Sequence, residues 1–228
     1  MVSMDAGLAR RRLLLDGWCL LAPRSTMTID DVLAVLGPLA SSRSIRIHCC
    51  DLRPYDKDSA PPASMSATTG TNAQPLHTDG AYCHVPPRYV ALQCLEPGEA
   101  RCPTLLCTLD LRMLEGERSA LLTRPVWVSQ GGGLARFYCP VLDRYGETLR
   151  VRFDPLCMRT RPAASHAADE VRAALERCAQ EIEIEWVRGS LLLIDNWRCL
   201  HARGEGAAEA PSRRLRRWVI GANDGLVA

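Results

Sequence analysis

The sequence has very little lysine: of its 28 basic residues, Lys57 is the single lysine and the rest are arginines. Basic and acidic residues nearly cancel, giving a formal net charge of +2. So small an excess provides no strong attraction to nucleic acid or to an anionic membrane surface. No apolar run reaches the roughly 18–20 residues that a membrane span needs. We therefore expect no nucleic-acid or membrane partner, and a cytoplasmic protein.

Signals of export and of a cysteine framework are also missing. The cluster Arg10-Arg11-Arg12 precedes three leucines, but Asp16 and Gly17 interrupt the apolar stretch and no small-residue cleavage site follows. None of the 11 cysteines is spaced as C-x-x-C, and their number is odd. This pattern is atypical of structural zinc and of disulfide-rich domains. We predict that most cysteines are small buried residues.

The N-terminal part predicts an α/β flank over residues 1–55. Its elements are a helix near 8–15, a strand at 18–21, a helix from an N-cap at Thr28 to about 39, and a strand at 44–50. Residues 56–74 are rich in Pro, Ser, Ala, Thr and Gly, which predicts a loop. Because this segment immediately precedes His77, we interpret it as a lid and call it the lid loop.

The remainder predicts a mainly β protein in one domain over residues 1–228. Short strands are expected at 89–95, 104–108, 126–129, 136–138, 149–153, 183–187, 190–194 and 215–220. Breakers such as Pro97-Gly98 separate them, and helices are expected at about 112–122 and 165–181. Many short strands with turn signals favour a jelly roll, the double-stranded β-helix, with flanking helices.

The motif His77-Thr78-Asp79 carries candidate chemistry. In an extended segment, residues two apart point to the same face, so an imidazole and a carboxylate converge. Alone the pair is weak evidence, because a surface hydrogen-bonded pair has the same pattern. Residues 189–201 predict a turn, a buried strand, a second turn and then His201 on a following strand. Two histidines and one carboxylate would form the facial triad of non-haem Fe(II) oxygenases.

Downstream, residues 213–220 alternate arginines with apolar residues in a predicted strand. Burying a guanidinium is costly unless it meets an anion, which a dicarboxylate cosubstrate would supply. At least one of the four arginines of this strand should therefore point inward. Two further arginines, Arg198 and Arg203, are predicted to lie in turns.

These motifs together resemble the TauD/TfdA family of 2-oxoglutarate dioxygenases. The matching blocks are Leu76-His77-Thr78-Asp79-Gly80, then Pro103-Thr104-Leu105, then Asp195-Asn196 through Leu200-His201, and finally the arginine strand. They cover roughly residues 70 to 220. The chain departs from the family pattern before Thr104, where Arg101-Cys102-Pro103 replaces a pair of glycines.

The resemblance implies a site with Fe(II) as the metal and 2-oxoglutarate and O2 as cosubstrates. The implied iron ligands are His77, Asp79 and His201. The implied contacts to the far carboxylate of 2-oxoglutarate are Thr104 and Arg213, with Arg217 as a second functional arginine. A register shift of one residue would instead assign Arg214 or Arg216 to this carboxylate.

The implied reaction is oxidative decarboxylation to succinate and CO2, coupled to hydroxylation of an unactivated C–H bond. Because Asp79 stands where related halogenases have a small residue, hydroxylation is favoured over halogenation. Desaturation and cyclisation stay open, since both begin with the same hydrogen abstraction. The short interval between Asp79 and His201 indicates a trimmed lid and a bulky or carrier-bound small molecule, as in secondary metabolism. The alternative is a non-catalytic jelly-roll protein that binds a metal or ligand without turnover.

Overall fold

The computed structural model describes residues 6–24, 27–40, 45–62, 64–111, 122–124, 127–131, 133, 135–160, 169, 172–173, 175 and 179–222. The helical elements are α1 (Ala6–Asp16), α2 (Ile29–Leu36), a 3₁₀ turn (Gly37–Ala40) and α3 (Ser66–Thr69). The strands are β1 (Trp18–Leu21), β2 (Ile45–Leu52), β3 (Tyr89–Glu96), β4 (Thr104–Leu109), β5 (Trp127–Ser129), β6 (Phe137–Cys139), β7 (Leu142–Tyr145), β8 (Thr148–Val151), β9 (Met158–Thr160), β10 (Ala179–Ile184), β11 (Leu191–Asp195), β12 (Cys199–Arg203) and β13 (Arg214–Ala222).

Two antiparallel sheets form the jelly-roll core. The larger has the order β1-β11-β3-β13-β2, and the smaller has the order β10-β4-β12. Apolar side chains of both sheets meet in one buried cluster, which includes Leu92 of β3, Leu106 of β4, Ile184 of β10 and Leu192 of β11. The expected mainly β jelly roll with flanking helices is confirmed.

The larger sheet buries both of its faces, which explains the unbroken apolar run of β11. Leu192 and Ile194 face the smaller sheet. Leu191 and Leu193 face the opposite way, into a cluster shared with α1 and α2. Because successive strand residues point to opposite faces, a strand buried on both sides must be apolar at every position.

The predicted N-terminal flank is built into this sheet. β1 pairs with β11 and β2 pairs with β13, so they form its two edges. The helix α2 begins at the expected place, because Thr28 accepts a hydrogen bond from the amide of Asp31, whose side chain accepts one from the Thr28 amide in return. Such a capping box satisfies two amide groups at the start of a helix.

A smaller part of the chain packs against the end of the core. It contains the sheet β6-β5-β9 and the hairpin β7-β8. Trp127, Val151 and Phe153 form its apolar centre, which extends to Leu200 of β12.

Several expected elements need correction. The strands β7 and β9 were not predicted, and each is only three or four residues long. The helix expected at 165–181 overlaps β10, because Ala179 already pairs with Leu109 of β4. Most of that helix, and nearly all of the one expected at 112–122, falls outside the described residues.

Within the described chain, no helix is long and apolar enough to cross a membrane.

Candidate functional site

His77 and His201 lie opposite each other in a short antiparallel bridge. The amide of His77 donates to the carbonyl of His201 at 3.1 Å, and the reverse bond measures 2.9 Å. His201 is the central residue of β12, so the sheet fixes its backbone. The bridge therefore attaches the segment that follows the lid loop to a core strand. The centroids of the two imidazole rings lie 4.7 Å apart.

The alternation predicted for the His-x-Asp motif is present, and Thr78 shows why. Its main-chain amide and its hydroxyl both donate to the carbonyl of Phe153, and its hydroxyl accepts from the Phe153 amide. These bonds fix Thr78 against Phe153, in the loop that follows β8. His77 and Asp79 consequently point the other way, into a cavity.

Asn196 holds the backbone of Asp79. Its side-chain amide accepts from the Asp79 amide at 2.8 Å and donates to the Asp79 carbonyl at 3.0 Å and to the Pro87 carbonyl at 2.8 Å. The next residue, Gly80, has a φ of 67°, and a β-carbon there would come within 2.6 Å of Pro87. Glycine is therefore required at this turn.

Three potential ligand atoms converge in the cavity. One atom each from His77, Asp79 and His201 lies within 4.8 Å of the others, and this is the one such group within the described residues. The Nε2 atoms of the two histidines lie 3.9 and 3.8 Å from the Asp79 carboxylate. Oδ2 of Asp79 is buried without a hydrogen-bond partner. A divalent cation would supply that partner, so the donor set fits the facial triad of Fe(II).

The protonation states of His77 and Asp79 suit metal binding. Nδ1 of His77 lies 3.0 Å from the Pro75 carbonyl, which assigns the proton to Nδ1 and leaves the Nε2 lone pair free. Burial, together with the nearby His201, lowers the pKa of His77, which favours the neutral ring. Burial alone would raise the pKa of Asp79, but Arg217 and the two histidines outweigh it and hold that pKa below its usual range.

A cavity of about 880 Å³ contains this ligand set and extends along β13. Arg213, Leu215, Arg217 and Val219 line it, as the alternation of a strand requires. The expected inward face of this strand is therefore the observed one. On the opposite face, the partly exposed Arg216 forms an ion pair with Asp51 of β2 at 2.9 Å.

Arg213 is buried beside Thr104. The guanidinium donates to the carbonyl of Cys102 at 3.0 Å and to the hydroxyl of Thr104 at 3.4 Å, and both acceptors are neutral. Trp186 donates to the same hydroxyl at 3.0 Å. Burial lowers the pKa of Arg213. Among the described residues, no carboxylate forms an ion pair with this arginine, so the cavity holds a buried cation that an anionic ligand would stabilise.

Arg217 contacts the proposed metal ligand Asp79, and its role in binding 2-oxoglutarate stays a prediction. Its guanidinium donates to Oδ1 of Asp79 at 2.9 Å and to the thiol of Cys50 at 3.4 Å. The Asp79 carboxylate is the main cause that raises the pKa of Arg217. The structure therefore brings Arg217 to the proposed metal ligand itself.

The two arginines expected in turns have distinct places. Arg198 does lie in the turn between β11 and β12, where it donates to the carbonyls of Leu14 and Leu15 at the end of α1. Arg203 is instead the last residue of β12, is buried, and donates to the lid loop. Its turn assignment was wrong because the local sequence does not show which distant loop packs on it.

Sequence reasoning also missed two residues that hold the site together. Asn196 was quoted only as part of a family block, and no local signal gave its contact with Asp79. Arg152 is almost completely buried and donates to the carbonyls of Ala81, Cys83 and His84. Its place in an alternating strand was the one available signal, because alternation would point it inward.

Residues 119–219 match the model of the family described as taurine catabolism dioxygenase TauD, TfdA family. No curated protein matches the chain.

Solved structures show a shared fold. An asparagine oxygenase in complex with Fe(II), 2S,3S-3-hydroxyasparagine and succinate has a TM-score of 0.66 at 17% identity, over 94% of this chain and 77% of that one. The non-heme iron oxygenase OrfP in complex with Fe, succinate and (3S)-hydroxy-L-Arg has a TM-score of 0.57 at 23% identity, over 77% of this chain. The match covers 56% of the OrfP chain.

The segment that matches the family model contains His201, Arg213 and Arg217. With the jelly-roll fold and the His77, Asp79 and His201 ligand set around it, this match makes the chain similar to the TauD, TfdA family over residues 119–219, which are less than half of its length.

Proposed function

We propose that this protein is an Fe(II)- and 2-oxoglutarate-dependent oxygenase that hydroxylates an unactivated C–H bond of a small molecule and releases succinate and CO2. One observation carries the proposal. The cavity that contains the three converging ligand atoms also contains Arg213, a buried guanidinium whose described partners are all neutral. A metal site and a cationic anchor in one cavity suit a chelating dicarboxylate.

In this proposal His77, Asp79 and His201 hold the iron. Fe(II) held there, together with 2-oxoglutarate and O2, would supply the oxidising chemistry for hydroxylation of the substrate. The chain provides an anionic ligand with a fixed orientation, because Asn196 holds the Asp79 backbone and Arg217 holds its carboxylate. Such contacts behind metal ligands commonly change metal affinity or activity 10–100-fold.

Arg213 and Thr104 bind the far carboxylate of 2-oxoglutarate. A guanidinium and a carboxylate can form two parallel hydrogen bonds, which orient the cosubstrate as well as attract it. The Thr104 hydroxyl accepts from Trp186 and Arg213, so its own proton is free for a further acceptor. Burial of Arg213 strengthens the interaction, because water competes poorly for the charge.

For the substrate we propose an amino acid or an amino-acid derivative, free or bound to a carrier. The asparagine oxygenase and OrfP structures contain hydroxylated amino acids, which supports this class without identifying the side chain. The cavity of about 880 Å³ is near the upper end of the 300–1,000 Å³ typical of ligand sites. It leaves room beside the cosubstrate for a bulky group.

The decisive experiment measures succinate release from 2-oxoglutarate in the presence of Fe(II) and O2. Free amino acids are compared with the same amino acids as carrier-protein thioesters, and products are identified by mass. A gain of one oxygen atom supports hydroxylation, whereas a loss of two hydrogens indicates desaturation or cyclisation. If none of these amino acids or thioesters stimulates succinate release although Fe(II) binds stoichiometrically, the result would favour the non-catalytic alternative. A chlorinated product at high chloride would contradict the role of Asp79 as an iron ligand.

A further inference from the structure

Arg203 lies on the same cavity wall as the proposed iron ligand His201. Both belong to β12 and are two residues apart, so their side chains share a face. Both line the cavity, and only 8% of Arg203 is exposed to solvent. A cation buried this deeply must find its partners within the protein.

The partners of Arg203 belong to the lid loop. Its guanidinium donates to the hydroxyl of Ser66 at 3.3 Å and to the carbonyls of Gly70 at 2.5 Å and Asn72 at 2.7 Å. The main chain adds a fourth bond, from the Gln74 amide to the Arg203 carbonyl at 2.9 Å. Ser66 and Gln74 themselves line the cavity. Arg203 therefore fastens a wall of the cavity to the core.

Arg203 also lies near Arg213. Arg203 pairs in register with Thr104 of β4, whose hydroxyl accepts from Arg213, and both arginines line the same cavity. Among the described residues, neither guanidinium forms an ion pair with a carboxylate. Two buried like charges repel each other, and an anion in this end of the cavity would stabilise both.

We propose that Arg203 is a positioning residue that couples closure of the lid loop to occupation of the cosubstrate end of the cavity. The inference rests on the proposed function, since the anion concerned is 2-oxoglutarate. When its far carboxylate binds Arg213, the repulsion on Arg203 is offset and the bonds to Ser66, Gly70 and Asn72 strengthen. Coupling is reciprocal, so the fastened loop raises the affinity for 2-oxoglutarate by the same factor.

The single lysine of the chain provides a direct measure of this closure. Lys57 is exposed in the lid loop and lies against Gly70, where an added β-carbon would come within 3.2 Å of its Cγ. A lysine-specific protease therefore has one cleavage site, on the segment that Arg203 fastens. Cleavage needs local opening of the loop, so its rate reports the open population.

The experiment uses the full chain with Fe(II) under argon, so that no turnover occurs. Cleavage after Lys57 is timed with and without saturating 2-oxoglutarate, and 2-oxoglutarate binding is followed by its charge-transfer absorption with the metal. We expect 2-oxoglutarate to slow cleavage about tenfold, within the 5–150-fold range of typical couplings. In Arg203→Met, cleavage should be fast in both conditions, and 2-oxoglutarate should bind more weakly by a similar factor.

Arg198→Met is the matched control, because Arg198 also donates to main-chain carbonyls but lies outside the cavity lining. In Arg198→Met, 2-oxoglutarate should slow cleavage after Lys57 as much as in the unaltered chain, and it should bind with the same affinity. Arg203→Lys is the second variant, since an ammonium keeps the charge but cannot bridge three acceptors. It should also be cleaved rapidly.

If 2-oxoglutarate slowed cleavage after Lys57 in both Arg203 variants as much as in the unaltered chain, this result would overturn the coupling. So would a charge-transfer band in the unaltered chain without any protection of Lys57, although the proposed function would then survive. Absence of the band in the unaltered chain would overturn both.

Discussion

The side-chain amide of Asn196 bonds to both the amide and the carbonyl of Asp79, which lies 117 residues earlier in the chain. Asn196 follows β11 directly, so the larger sheet sets its position. Through these bonds the sheet determines where the carboxylate of Asp79 points. The contact converts a loop residue into an oriented metal ligand.

Replacing Asn196 should therefore weaken metal binding, although Asn196 is not itself a metal ligand. In Asn196→Ala, the buried amide of Asp79 and the carbonyls of Asp79 and Pro87 lose their partners, at a cost of about 1–3 kcal/mol for each group. We expect Fe(II) affinity to fall 10–100-fold, as measured by competition with a chelator. Asn72→Ala, an exposed position, is the control. Unchanged affinity in Asn196→Ala would contradict this role.

Each iron ligand should be indispensable for the metal. His77→Ala, Asp79→Ala and His201→Ala should each abolish stoichiometric Fe(II) binding while cooperative unfolding persists. His84→Ala is the matched control, because His84 is exposed and stacks on Phe137 outside the cavity. It should bind iron normally. Near-normal turnover by the His77 variant would refute the ligand assignment.

The anchor for 2-oxoglutarate should be Arg213. Removing one partner of a desolvated ion pair costs on the order of 3–5 kcal/mol. Arg213→Ala should thus raise the apparent KM for 2-oxoglutarate about a hundredfold or more, since 1.4 kcal/mol is about a factor of ten. Arg213→Lys should recover part of the loss, because an ammonium cannot pair with both carboxylate oxygens.

Arg216→Ala is the control for this anchor. Arg216 pairs with Asp51 on the other face of β13 and is partly exposed, and such surface pairs contribute about 0–1 kcal/mol. The KM should change less than about threefold. If the KM for 2-oxoglutarate rose strongly in Arg216→Ala and did not change in Arg213→Ala, the anchor would be assigned to the wrong face of the strand.

Arg152 should matter for stability. Arg152→Met removes a donor from the carbonyls of Ala81, Cys83 and His84. Of these, Ala81 keeps a second donor, the hydroxyl of Ser129. Removal of the buried charge offsets part of this loss, so we expect the free energy of unfolding to fall by about 3 kcal/mol. Urea denaturation measures it, and the exposed Arg159→Met should change it by less than about 0.5 kcal/mol. A change equally small in Arg152→Met would contradict the prediction.

Local pattern was a good guide wherever burial repeats with the period of the element. The alternation of β13 predicted that Arg213, Leu215 and Arg217 share a face, and the cavity lining confirms it. Short strands such as β9 escaped prediction because three residues show too little alternation.

The jelly-roll pattern, the shared face of His77 and Asp79, and the shared face of Arg213 and Arg217 were predictable from the amino-acid pattern, because each depends on side-chain direction within one element. The partners that those side chains meet depend instead on how distant parts of the chain pack. The tertiary structure placed Asn196 on Asp79, Arg217 on the same carboxylate and Arg203 on the lid loop. Such contacts join residues more than 100 positions apart, and their geometry depends on how two sheets and a loop pack together.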